Sequence, residues 1–160
     1  MVVLGIDPGL ANTGYGIVEN NEGLRLIKTG VIKTDKKMPH PMRLLFLYNR
    51  LLEIIKEFSP ESCAIESVFF FKNAKTIMSI GEIRGICILA CASLFLPVHH
   101  YTPLQIKQAI TGYGRATKNQ IKEMIKRFFG LKSYIEPDDA VDGIACAICH
   151  IQSKWMKELG

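Results

Sequence analysis

No membrane-spanning run and no leader peptide is expected of this chain, and no internal repeat, low-complexity tract or linker stands out in it. No apolar stretch reaches about 18 residues without a charged or polar break, the length a spanning helix needs. The opening Met1-Val2-Val3-Leu4 has no basic residue ahead of its apolar run, and Asp7 interrupts that run, so a secretory signal is not expected. Cysteines are few and odd in number: Cys63, Cys87, Cys91, Cys146 and Cys149 all sit among apolar neighbours. That pattern argues against a disulfide framework and suits buried thiols in a reducing compartment, so the expected location is cytoplasmic. Cys146-Ala147-Ile148-Cys149-His150 has the spacing of a c-type haem attachment site. Such attachment requires export, and both cysteines continue an apolar helical pattern from Ile144 to Ile151, so no haem is expected. Acid is in deficit, with 15 Asp and Glu against 20 Lys and Arg and a net charge of +5, which favours an anionic partner, nucleic acid foremost. At 160 residues the chain has the length of one domain, 1–160.

What is present is organised around the first ten residues. Val2 to Ile6 is continuous, β-branched and closed by Pro8-Gly9, and so reads as a buried strand that delivers Asp7 at its carboxyl end. In open sheets that rim is where ligands bind. The alternative is an Asx-turn, with the Asp7 side chain bonding its own backbone. Gly14 to Val18 and Leu24 to Thr34 read as two further strands of an antiparallel meander. Pro39-His40-Pro41 is a breaker, and Met42 to Phe58 carries an amphipathic pattern through Leu44, Leu45, Leu47, Leu51, Leu52, Ile54, Ile55 and Phe58. Ser62 to Ile65 is a short strand ending on Glu66. After an aromatic segment, Phe69 to Phe71, a long helix is expected from about Ala74 to Leu94. Gly81 and Gly85 weaken that helix by roughly 1 kcal/mol each relative to Ala, which suggests close approach by another backbone. Pro97 to Tyr101 reads as a fifth strand, with His99 and His100 unassigned. Thr102-Pro103-Leu104-Gln105 and Thr117-Lys118-Asn119-Gln120 are capping boxes on either side of the glycine-rich loop Gly112 to Ala116. The second opens a basic helix through Lys122, Lys126 and Arg127 to Gly130. An apolar helix from Gly143 to Ile151 follows, and the charged tail after about residue 151 is expected to lack fixed structure.

Asp139 and Asp142 lie three apart and so share a helix face if the last helix begins near Asp138. Asp138 lies four from Asp142, so periodicity permits either pairing. Read alone, the pair also fits ordinary acidic charge at a helix start. Gathering these carboxylates with Asp7 and Glu66 makes better physical sense around divalent cations, because hard ions such as Mg²⁺ take oxygen ligands. Paired ions about 3.5 to 4 Å apart can clamp the attacking and leaving oxygens of a phosphoryl displacement.

Five blocks in order make a resemblance specific: GIDPG with TGYG (5–9, 13–16), IESVFFFKNA (65–74), IRG (83–85), QIKQAITGYGRATK (105–118) and DAVDGIACAICH (139–150). The chain resembles the RuvC family of crossover junction endodeoxyribonucleases, within the ribonuclease H-like superfamily. The resemblance implies an α/β fold with a five-stranded mixed sheet, three antiparallel strands then two more, flanked by helices. It places the family's acidic tetrad on Asp7, Glu66, Asp139 and Asp142 as catalytic metal ligands, with Asp7 bridging two Mg²⁺ ions, Mn²⁺ being the alternative. The family's D-A-x-D block selects Asp139 and leaves Asp138 as a cap. Lys107 and Lys118 match lysines near the scissile phosphate, and Phe69 matches an aromatic that stacks on a base at the junction centre; Phe70 and Phe71 are assigned to core or dimer contact. Lys72, Asn73, Arg84, Arg115 and Lys122 are the remaining candidates for DNA contact, together with Lys118. The implied protein is a homodimer that nicks four-way junctions symmetrically in recombination and repair and works with the RuvA and RuvB branch-migration proteins. Two other classes compete. An actin-like ATPase or sugar kinase also begins with a strand carrying an Asp, but needs two domains. A non-cleaving junction-binding module would not need all four acidic positions.

Overall fold

Alternation along the first strand divides the molecule in two. In a computed structural model describing residues 1–67 and 73–159, β1 spans Val2–Asp7, β2 Asn12–Asn20 and β3 Leu24–Lys33. Then come α1 (His40–Phe58), β4 (Ser62–Glu66), α2 (Ala74–Ser93), β5 (Val98–Tyr101), α3 (Pro103–Thr111), α4 (Lys118–Phe128) and α5 (Asp138–Leu159). The strands form one mixed sheet in the order β3-β2-β1-β4-β5. β1 and β2, and β2 and β3, pair antiparallel, while β4 runs parallel to both β1 and β5. Successive strand residues face opposite sides. Val3, Val18 and Ala64 accordingly pack with α3, α4 and α5, whereas Leu4, Ile6, Ile17 and Ile65 pack with α1 and α2.

Four glycines set the distance between α5 and the sheet. A Cβ on Gly5 would lie 2.0 Å from the Gly143 carbonyl oxygen, and one on Gly14 would lie 1.7 Å from that of Asp139. A Cβ on Gly16 would lie 2.8 Å from Ile144 Cα, and one on Gly143 2.7 Å from Tyr15 Cα. Helix backbone therefore rests on strand backbone. Gly81 and Gly85, expected to admit another backbone, meet none among the described residues of this chain: nothing there comes within 4 Å of a Cβ at either.

α1 begins at His40, because Pro41 falls in the first turn, where a missing N–H costs nothing. Leu47, Leu51, Ile54 and Ile55 are buried, but Leu45 is exposed. α2 has the length and apolar composition of a membrane-spanning helix. Ile83, Cys87, Ala90 and Cys91 of α2 are in the core, while Met78, Gly81, Gly85 and Leu89 form a separate exposed stripe. Both expected capping boxes are present, Thr102 with Gln105 and Thr117 with Gln120. The tail expected to be unstructured instead continues α5 to Leu159. The five cysteines are buried and unbridged.

His150 on α5 is 2 % exposed, stacks on His99 at 4.3 Å between ring centroids, and hydrogen-bonds through Nδ1 with the Tyr101 hydroxyl (2.7 Å). Burial, then the charges of His99, Lys154 and Lys157, hold its pKa down to about 4. The unfolded chain takes up this proton first as pH falls, so stability drops between about pH 6.5 and pH 4, by up to about 3 kcal/mol. The melting temperature of the wild type should therefore fall more steeply over that range than that of His150→Asn. Parallel curves would show that His150 does not titrate on unfolding.

Candidate active site

Asp7 and Glu66 end neighbouring parallel strands. Ile6 is in register with Ile65, so the two carboxylates are the next residues at the same rim. Asp7 follows Gly5 by two, and Glu66 follows Ala64 by two, so both side chains leave the sheet on the face that α5 covers. α5 starts at that rim. With its backbone seated on Gly14 and Gly16, its first turns bring Asp139 and Asp142 within electrostatic reach of Asp7.

The charge balance is unfavourable for the carboxylates alone. Burial first, then Glu66, Asp142 and Asp139, push the Asp7 carboxyl up to about 8, and Asp7 hydrogen-bonds with Glu66. Burial also raises Glu66, against the lowering influence of the Asp7 hydrogen bond, Lys118 and Lys107. Asp142 is raised by burial despite Lys118, whose Nζ lies 3.3 Å from Asp142 and 3.6 Å from Asp138. Burial alone would lower Lys118, but these two acids outweigh it and hold its pKa above the ordinary value. Among the described residues, no three carboxylate, thiol or imidazole side chains already stand at ion-gripping distance from one another. The donor set is nonetheless all oxygen, half-buried and short of positive charge, which is what a hard divalent cation would remedy.

A cavity of about 260 Å³ opens beside the carboxylates, lined by Glu66, Lys107, Lys118 and Asp142 over an apolar floor that includes Pro103, Ile106 and Ile121. α3 and α4 each contribute one lysine, near helix starts whose N–H groups are capped by Thr102 and Thr117. The other candidates are more scattered. Lys122 pairs with Glu136 (3.0 Å) and with Asp138. Arg115 is exposed in the loop between α3 and α4, and Asn73 caps α2 by accepting from the Lys75 N–H (2.9 Å). Arg84 turns inward, donating to the Glu66 carbonyl and to His100 Nδ1 (3.1 Å). Phe69, Lys72 and the flanking Phe70 and Phe71 lie outside the described residues. The strand glycines were missed as site residues, although GIDPG and TGYG contain three of them.

The family model for "Crossover junction endodeoxyribonuclease RuvC" matches residues 3–150. The chain belongs to the RuvC family. A RuvC from Caldicellulosiruptor saccharolyticus is 51% identical over 96% of this chain and 93% of that protein. One from Chloroflexus aurantiacus is 51% identical over 94% of this chain and 92% of its own. The structure of T. thermophilus RuvC in complex with Holliday junction substrate superposes with a TM-score of 0.94 at 33% identity, covering 98% of this chain and 96% of that one. The RuvC fold is thus the ribonuclease H-like fold expected, and RuvC membership makes the chain a divalent-metal-dependent nuclease. The oxygen-rich rim matches that dependence.

Proposed function

We propose that the chain resolves four-way DNA junctions by paired phosphodiester hydrolysis, with Asp7, Glu66, Asp139 and Asp142 as metal ligands and Lys107 and Lys118 beside the scissile phosphate. The observation that carries this reading is the convergence of three further carboxylates on half-buried Asp7. Asp7, Glu66, Asp139 and Asp142 would hold the divalent cations, two Mg²⁺ per site in this reading, whose chemistry when bound would be the activation of water at neutral pH and the stabilisation of phosphoryl charge. The chain's own residues hold and orient. Asp7 and Glu66 are fixed by strand pairing, and Asp139 and Asp142 by the helix seated on the strand glycines. Lys107 and Lys118 supply positive charge where the phosphoryl and leaving oxygens gain negative charge, and the low-polarity floor strengthens that effect. Phe69, Lys72, Asn73, Arg115 and Lys122 complete the proposed DNA contacts, while Arg84, a DNA candidate on sequence, is engaged by the Glu66 carbonyl and His100. RuvA and RuvB are the proposed partners, the cytoplasm the proposed location, and 1–160 a single nuclease domain. The test is cleavage of a synthetic four-way junction against linear duplex of the same sequence in Mg²⁺. Symmetric, ligatable nicks in the junction alone support the reading, and equal cutting of the duplex would overturn it.

The register of the acidic pair is testable separately. Asp138 is 43% exposed and already engaged by Lys122 and Lys118, which hold its carboxyl below the ordinary range, the Lys122 hydrogen bond first. Asp138→Asn should keep cleavage within about tenfold of wild type, whereas Asp139→Asn should lose several kcal/mol of transition-state stabilisation, about 100-fold or more. Equal losses would undo the assignment.

Dimerisation belongs to the same proposal. Met78, Gly81, Gly85 and Leu89 follow one another at spacings of three and four along α2, with Met78 69% and Leu89 53% exposed. A second copy of this face would bury the stripe and bring backbones close at the glycines. Sedimentation equilibrium should show a dimer for wild type and a shift to monomer for Leu89→Glu. A monomeric wild type would sink this part of the reading.

A further inference from the structure

We infer that Arg84 is a positioning residue for the metal ligand Glu66, acting through the ligand's own backbone. Arg84 projects from α2 to the rim where β4 and β5 end. Its Nη1 donates to the Glu66 carbonyl, and its Nη2 donates to Nδ1 of His100 on β5 (3.1 Å). The strand pairing stops there: Glu66 is in register with Tyr101, and the Ser67 N–H bonds the Tyr101 carbonyl (2.7 Å). Among the described residues the β4 pairing ends there, and the guanidinium is the partner of the Glu66 carbonyl. A rigid planar fork spanning two strand ends fixes both the direction of the Glu66 peptide and the separation of the strands. The side chain of Glu66 leaves from that peptide toward Asp7. Groups that orient metal ligands without touching the ion typically change metal affinity by about 10- to 100-fold when removed.

Arg84 carries charge near a nucleic-acid site, so the competing role is a direct phosphate contact, and the two roles predict different losses. The inference rests on Glu66 being a ligand, which Glu66→Gln tests independently. Mn²⁺ binding to the full-length protein without DNA is measured by calorimetry, and junction affinity by anisotropy in Ca²⁺. Arg84→Ala should weaken Mn²⁺ binding about tenfold while junction affinity changes less than about twofold. Arg84→Lys keeps one donor and should recover part of the loss, and His100→Ala, at an exposed position, should reproduce a smaller share of it. Should Arg84→Ala fail to fold, those two variants carry the comparison. Unchanged Mn²⁺ affinity in the Arg84 and His100 variants, with Glu66→Gln weakened, would overturn the positioning role alone. Loss of junction affinity with Mn²⁺ binding intact would assign Arg84 to DNA instead. Unchanged Mn²⁺ affinity in Glu66→Gln would remove the ligand assignment itself.

Discussion

Asp7→Asn should abolish junction cleavage, by at least about 10³-fold, and still bind the junction. Carboxylates supply metal affinity, whereas DNA affinity comes mainly from lysines and arginines that release counterions from phosphate. The same substitution should stabilise the fold. Asp7 is lifted from 3.8 to about 8 by burial and its acidic neighbours, so its ionisation opposes folding as pH rises through that interval. Asn removes the charge, and at pH 7.5 in EDTA the variant should gain about 1 to 3 kcal/mol, several degrees in melting temperature for a chain of this size. Added Mg²⁺ should narrow the gap, because it binds only the wild type tightly. Junction binding lost together with cleavage, or a lower melting temperature, would make Asp7 a structural residue.

Gly14→Ala should be the most damaging methyl in the molecule. The added Cβ meets the Asp139 carbonyl oxygen at 1.7 Å and the carbonyl carbon at 2.2 Å, both backbone atoms that no rotamer change can move. Either the sheet bends or the first turn of α5 lifts, and that turn carries Asp139. Overpacking of this kind costs about 3 kcal/mol, roughly 10 °C here. A ligand displaced by about an ångström would lose about 100-fold in rate beyond the loss of folded protein. Wild-type melting and cleavage in Gly14→Ala would mean that α5 is not seated on this strand.

The strands and helices were largely legible because their signals are local. The β-branched run Val2 to Ile6, the Thr-x-x-Gln boxes and the turn at Gly23 each act within a few residues. Asp7 and Glu66 were legible as carboxylates at strand ends. Asp139 against Asp138 was not settled by periodicity, since three- and four-residue spacings both lie on one helix face. The structure distinguishes their surroundings, with Asp138 drawn to Lys122 while Asp139 lies over Gly14. Which glycines meet backbone within the chain was not legible. Two glycines inside a helix look more anomalous than glycines in a strand, yet those of α2 face outward and those of β1 and β2 make the close approach. Which backbone meets which is a long-range fact, absent from any window of sequence. The inward turn of Arg84 and the burial of His150 are of the same kind. The charged tail was misjudged because its polarity matches an exposed helical turn as well as it matches a loop.

The two capping boxes have a further consequence. In each, the residue that bonds back to the cap is Gln rather than Glu, and neither α3 nor α4 carries an acid in its first turn. An amide closes the orphan N–H groups as a carboxylate would, but leaves the helix end electropositive. Glu at position 105 or 120 would be worth about 0.3 to 1 kcal/mol to its helix through the dipole. It would also add a fixed anion to the helix end within a turn of Lys107 or Lys118 and lower the positive potential that draws phosphate there. At these two helix starts the chain forgoes a small gain in thermal stability and adds no acid of their own first turns to the face a polyanion would meet.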